Sequence, residues 1–220
     1  GQFPHQVAHE ILGDAHAFAV ISGPTFAREV AAGLPTAVTV ASSNAQFAGE
    51  LAARLHSDGF RAYTSDDVTG VQLGGAVKNV LAIAAGIADG LGLGANTRAA
   101  LITRGLAEMM RLGVALGGQR ETFMGLAGLG DLVLTCTDDQ SRNRRLGLAL
   151  ARGTPCADAL RDIGQSVEGV ATAREVMRLA KTHGIDMPIS EQVCSVLHEG
   201  KSPRAAVQSL LQREQKAETS

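Results

Sequence analysis

Aromatic side chains are scarce in this chain. Phe, Tyr and Trp together make up 3% of 220 residues, and there is no Trp. Nor is there a basic tract interleaved with aromatics, so a stacking surface for nucleobases is missing. The formal net charge of -2 gives no reason to expect nucleic acid as a partner. Ala, Leu, Val and Gly must fill the core, and side chains that small favour closely packed helices.

Cysteine is also scarce. Cys136, Cys156 and Cys194 are odd in number, widely spaced and outside any CxxC pattern, as expected of reduced structural thiols in a cytoplasmic protein. His5 and His9 have i,i+4 spacing but lack the context of a metal site, so no metal is expected. No signal peptide is visible. The apolar run around Val71 to Ala88 has membrane-spanning length, yet Gln72, Lys78 and Asn79 interrupt it, and a buried helix is expected instead of a span. Gly1 is not a start methionine, and the first segment reads as the middle of a helix. The chain is therefore expected to be the downstream part of a longer protein.

The first sixty-odd residues alternate helix and strand. Phe3 to Leu12 reads as a helix end, Phe18 to Ser22 as a short strand closed by Gly23-Pro24, and Thr25 to Ala32 as a helix. Thr36 to Ala41 is a β-branched strand, Asn44 caps a helix running to about His56, and Phe60 to Tyr63 is a last strand. This is α/β patterning with too few strands for a complete doubly wound domain. From Thr64 onward the strands cease. Thr64 to Asp67 reads as a cap cluster opening a long apolar helix. Helices follow from Asn96 to Leu116, Ser141 to Arg152, Gly169 to His183 and Pro188 or Ile189 to Glu199. Thr154-Pro155 and Ser202-Pro203 each read as an N-cap followed by a proline in the first turn. The residues after Arg213 read as a polar tail.

Three short stretches carry chemistry. Lys78 is the one charge between Asp67 and Asp89. An unpartnered buried ammonium costs several kcal/mol and tends to shed its proton, which suits a general acid/base. It could equally snorkel to the surface. Asn79 beside it offers a neutral donor and acceptor. In "GLAGLGDLVLTC", Gly125 to Cys136, Asp131 is the one charge and could pair with a buried lysine or begin the helix Leu132 to Thr137. "SRNRR", Ser141 to Arg145, sets a hydroxyl, a guanidinium and an amide at a helix start. That is a phosphate-holding set, or an ordinary capped basic helix. "GPTFA", Gly23 to Ala27, could seat an anion or be a plain turn. "GLGLGA", Gly90 to Ala95, follows a helix and lacks G-x-G-x-x-G spacing, so it reads as a flexible connection and not a nucleotide loop.

Taken in order, "ISGPTFAREVAAGLPTAV", "GVQLGGAVKNVLAIAAGIADGLGLGANTRAALITRGLAEM", "GLAGLGDLVLTCTDDQSRNRR" and "VEG" closely resemble the bacterial NAD(P)-dependent glycerol-3-phosphate dehydrogenases, from about Phe18 to Leu211. The resemblance implies the remnant of a Rossmann-type domain at 1–63. An all-helical domain at 64–213 would follow, of the 6-phosphogluconate-dehydrogenase-like kind, with a polar tail at 214–220. It implies interconversion of sn-glycerol 3-phosphate and dihydroxyacetone phosphate with NAD or NADP, supplying phospholipid synthesis, in the cytoplasm, and it allows a homodimer. Lys78 matches the catalytic lysine and Asp131 the acid beside it. Gly23, Thr25, Lys78, Asn79, Asp131, Ser141, Arg142 and Asn143 match the substrate set. Ala27, Arg142, Val167 and Glu168 match the cofactor set. The glycine-rich loop of the family's nucleotide-binding half, and a second substrate lysine it contributes, have no counterpart here. The chain by itself is therefore expected to bind cofactor poorly and turn over little. Two alternatives remain. Hydroxyacid dehydrogenases and ketopantoate reductase also use a helix-borne lysine, but their asparagine usually follows about one turn later. The helical part could instead be a non-catalytic dimerisation module.

Overall fold

The structure, a computed structural model, describes residues 2–13 and 15–214. The expected polar tail lies outside the described residues apart from Glu214.

A three-stranded sheet occupies the N-terminal part. It is built from β1 (Val20–Ser22), β2 (Thr36–Ala41) and β3 (Phe60–Ser65) in the order β1-β2-β3. β1 runs antiparallel to β2, and β2 runs parallel to β3 with Val38 opposite Ala62. A parallel pair needs a crossover. Here α3 (Ala45–Leu55) supplies it, capped by Asn44, whose Oδ1 accepts from the Phe47 N–H at 3.0 Å. In the chain, α1 (Pro4–Leu12) precedes β1 and α2 (Ala27–Ala31) lies between β1 and β2. Thr64 and Ser65, expected to open the long helix, instead end β3, because their backbones pair with Val40 and Ala41. The helix cap falls to Asp67 alone, whose Oδ1 accepts from the Gly70 N–H at 2.7 Å.

The rest is helical. α4 (Val68–Gly90) runs through the centre, with α5 (Gly94–Ala115), α6 (Arg120–Met124), α7 (Asp131–Thr137), α8 (Arg142–Ala151), α9 (Cys156–Ile163), α10 (Glu168–His183), α11 (Pro188–His198) and α12 (Pro203–Leu211) around it. A π-helical turn, Leu126–Gly130, joins α6 to α7. By length and composition α4 could cross a membrane, but 83% of its most apolar window is buried inside the fold, which makes it a core helix. Ser202 caps α12 as expected, with Pro203 in the first turn and its hydroxyl accepting from the Ala205 N–H at 3.2 Å. Thr154 does not repeat this. Pro155 keeps an extended ψ of 143°, so it occupies the N-cap position itself and α9 starts at Cys156.

Small residues let the central helix be approached closely. A Cβ on Gly86 would stand 2.1 Å from the Arg144 carbonyl oxygen, and one on Gly147 would stand 2.2 Å from that of Ile83. α4 and α8 therefore cross backbone to backbone, the packing that a core poor in rings favours. Glu108 of α5 is a buried acid with a structural task. Its carboxylate accepts from the Ile189 N–H at 2.6 Å and the Ser190 N–H at 3.1 Å, capping the start of α11. Burial pushes this carboxyl from 4.5 up to about 7, against the lowering effect of those hydrogen bonds. Burial likewise pushes the Cys136 thiol up to about 12, which leaves it inert as a nucleophile.

Candidate active site

Gly74 and Lys78 lie one turn apart on α4 and share a face. A Cβ on Gly74 would come within 2.4 Å of the Ala127 carbonyl oxygen. The missing side chain lets the π-helical turn rest directly on α4. The next residue after that turn, Asp131, is thereby brought across from Lys78, whose Nζ donates to the Asp131 carboxylate. Asp131 is the first residue of α7, and Gly130 holds the cap position, so the acid pairs with the lysine and does not cap the helix. The Thr135 hydroxyl, one turn along α7, lies 3.2 Å from the other Asp131 oxygen. Burial raises the Asp131 carboxyl above its ordinary value, while the ammonium of Lys78 and the Thr135 hydroxyl pull it down. The lysine is thus not the unpartnered buried ammonium the sequence suggested. Its side chain, 19% exposed, opens into a cleft and not onto the outer surface.

The cleft has a volume of about 850 Å³ and lies between α2, α4, α7, the start of α8 and the start of α10. Thr25, Ala27, Lys78, Asn79, Asp131, Ser141, Arg142, Asn143 and Glu168 all line it. Segments more than a hundred residues apart in the chain thus meet at one place. Ser141 caps α8 by accepting from the Arg144 N–H at 3.2 Å, which leaves its own hydroxyl hydrogen available. The open N–H groups of the α8 first turn and the half-exposed Arg142 guanidinium face the same space. Arg142 lies 3.8 Å from Glu168, a loose pair that leaves both groups open to a ligand.

Asn79 and Asn143, both expected to touch substrate, spend most of their amides on the protein. Asn143 Nδ2 donates to Asn79 Oδ1 at 2.9 Å, and the Gly169 N–H donates to Asn143 Oδ1 at 2.9 Å. Asn79 Nδ2 donates to the Glu168 carboxylate at 3.1 Å and to the Gly75 carbonyl at 3.3 Å. Together they tie α4, α8 and α10 around the lysine. Two other expected residues do not line the cleft. Val167 is buried in the helical core. Gly23, with φ of 151°, lets its turn pass close to β2, where a Cβ would stand 3.1 Å from the Ala37 carbonyl oxygen.

The sequence reading passed over several residues that the cleft does use. Thr135 could have been found from its i+4 relation to Asp131 on one helix. Gln140 and Glu29 could not, because their contact, with Gln140 Nε2 donating to Glu29 Oε1 at 2.9 Å, joins residues 111 positions apart. Gln165 lines the cleft too, and so does Arg145, the last residue of the SRNRR run.

The fold and the cleft place the chain in a class with two joined parts, the tail of a Rossmann-type α/β domain and an all-helical domain that holds a lysine–carboxylate pair. Residues 67–208 match the model for the C-terminus of NAD-dependent glycerol-3-phosphate dehydrogenase, and residues 1–48 match the model for its N-terminus. The chain belongs to this family. It is 65% identical over 218 residues to a glycerol-3-phosphate dehydrogenase [NAD(P)+] of Nitrosococcus oceani, covering 99% of this chain and 63% of that relative. A Vibrio cholerae protein of the same name is 60% identical over 219 residues, with 99% of this chain and 64% of that relative covered. The crystal structure of glycerol-3-phosphate dehydrogenase from Coxiella burnetii superposes with a TM-score of 0.92 at 57% identity, over 95% of this chain and 64% of that one. The yeast enzyme from Saccharomyces cerevisiae superposes with a TM-score of 0.82 at 28% identity, over 92% and 61%. The chain thus spans a little under two thirds of the length of these relatives.

Proposed function

We propose that the full-length protein interconverts sn-glycerol 3-phosphate and dihydroxyacetone phosphate with NAD(P), in the cytoplasm, and so supplies a precursor of phospholipids. One observation carries this reading. A lysine held by a buried carboxylate faces, across a polar cleft, a helix start bearing an arginine. That arrangement supplies a proton at one end of a small substrate and holds an anion at the other.

In the reducing direction the Lys78 ammonium donates a proton to the substrate carbonyl oxygen as negative charge develops there. In the oxidising direction the same nitrogen takes the hydroxyl proton. Asp131 fixes the position of Nζ throughout. Arg142, the Ser141 hydroxyl and the N–H groups of α8 hold the phosphate, and the remaining amide hydrogen of Asn143 can add to them. Thr25 borders the substrate from the sheet side, in the turn that Gly23 allows to pass close to β2. The residues present fit the nicotinamide end of the cofactor. Glu168 offers an acceptor to its carboxamide, Arg142 and Gln165 offer donors, and Ala27 leaves room for the ring. The nicotinamide, when bound, supplies or accepts the hydride.

A homodimer belongs to the same proposal. An apolar cleft of about 660 Å³ between α5, α11 and α12 leaves Leu101, Val207 and Leu211 available to a second copy. Sedimentation of the full-length protein checks this, and the mass of a single chain at micromolar concentration would remove it.

The substrate assignment is tested with a panel of carbonyl compounds and NADH or NADPH. Reduction of dihydroxyacetone phosphate in strong preference to unphosphorylated keto acids is expected. A preference for keto acids would move the chain's parent protein to the hydroxyacid dehydrogenase or ketopantoate reductase chemistry.

A further inference from the structure

The "SRNRR" run contains an arginine that the proposed chemistry leaves unused. Arg144 is turned away from the cleft, and its side chain is only 10% exposed. Its Nη1 donates to Asp89 Oδ2 at 2.5 Å, near the end of α4, and its Nε donates to Asp139 Oδ1 at 2.9 Å. Asp89 also receives Arg98 of α5 at 2.9 Å. Asp139 is different in kind. It is 71% exposed and belongs to the short loop that borders the cleft just before α8.

A buried guanidinium is a poor device for stability alone, since taking it out of water offsets most of what its partners return. Its geometry suggests another use. The loop 138–140 is pinned on the inside by Arg144. It is tied to itself where Asp138 accepts from the Gln140 N–H at 2.7 Å, and it is held across the cleft by Gln140 on Glu29 at 2.9 Å. The Arg144 backbone N–H is also the donor that Ser141 Oγ accepts, and the Arg144 carbonyl is the atom pressed against Gly86. Arg144 thus ties the start of α8 both to the 138–140 loop and to α4, while Asn143 ties the same turn to Asn79 and Gly169. Arg142, the phosphate-facing cation, lies in that turn.

We propose that Arg144 is a positioning residue for phosphate recognition, acting through Arg142 and the α8 N-terminus by clamping the 138–140 loop to the end of α4. The inference rests on the functional reading above. Its test compares full-length wild type, Arg144→Met and Asp139→Asn, using dihydroxyacetone phosphate and unphosphorylated dihydroxyacetone. Asp139→Asn leaves the inner Arg144–Asp89 pair in place and serves if Arg144→Met does not fold. The expected result is a fall in the ratio of the two kcat/KM values, on the order of 10²-fold for Arg144→Met and smaller for Asp139→Asn. In an Arg142→Ala background, Arg144→Met should change the ratio little further, because the residue it acts through is gone. Equal losses with both substrates, or losses that multiply in the double variant, would overturn the inference and leave the functional reading standing. A wild type that does not reduce dihydroxyacetone phosphate overturns the functional reading and this inference with it.

Discussion

Lys78 keeps its place in a helix without other charges because Asp131 faces it, and the pairing has a consequence for stability. Removing the ammonium, as in Lys78→Met, leaves a buried carboxyl whose affinity for protons rises further. A carboxyl raised in the folded state adds stability that is fully present below its unfolded value near 3.9 and is lost as the pH rises through the folded one. Lys78→Met is therefore expected to cost roughly 2–4 kcal/mol at pH 8 and distinctly less at pH 5. Thermal melts of both proteins at the two pH values check this. An equal cost at both would mean that Asp131 does not feel the loss. Both residues were legible in the sequence, since each is the one charge in an apolar stretch. Their pairing was one of two open readings for Asp131, and only the packing of the π-helical turn on Gly74 decides it.

At the scale of elements, Gly74→Ala tests that packing. The new Cβ would have to push the turn back by about 1 Å, since ordinary contact with a carbonyl oxygen lies beyond 3 Å. Asp131 would be carried away from Lys78. A misplacement of that size is worth on the order of 10²-fold in kcat. Wild-type kcat in the variant would show that the turn can move without disturbing the pair. Glu108 makes a separate prediction about α11. Its carboxyl is raised from 4.5 to about 7, so the stability it contributes is present below 4.5 and fades between pH 4.5 and 7 as the charge is forced into the core. The span corresponds to roughly 3 kcal/mol at most. Denaturant unfolding should show stability falling across this range in the wild type. In Glu108→Gln that fall should be absent, at a cost of about 1–2 kcal/mol for a weakened helix cap. A slope that persists in the variant would assign the pH dependence elsewhere. The sequence did not point to Glu108, because its partners are the backbone N–H groups of residues some eighty positions away.

Across the whole molecule, elements announced by local chemistry were read with small errors. Asn44, Ser141 and Ser202 all cap the helices expected of them, and the three strands fall where β-branched and apolar runs stand. The errors share a cause. Thr64 and Ser65 look like cap residues but are claimed by pairing with β2, and Thr154 is displaced because Pro155 takes an extended ψ of 143° and holds the cap position itself. Nine of the residues named through the family resemblance line one cleft and two, Gly23 and Val167, do not, whereas the internal use of Asn79 and Asn143 and the bridge from Gln140 to Glu29 are long-range contacts without a local signature. The 220-residue chain contains no G-x-G-x-x-G loop after a strand, so NADH titrated into it should bind far more weakly than to the full-length protein. Equal affinity would show that the cleft alone holds the cofactor.

The most direct test of the account is dihydroxyacetone-phosphate-dependent oxidation of NADH and NADPH by the full-length protein, with and without Lys78→Met. Turnover by the wild type and a loss of roughly 10²- to 10⁴-fold in the variant are predicted. A variant within a few-fold of the wild type, or a folded wild type inert with both cofactors, would contradict it.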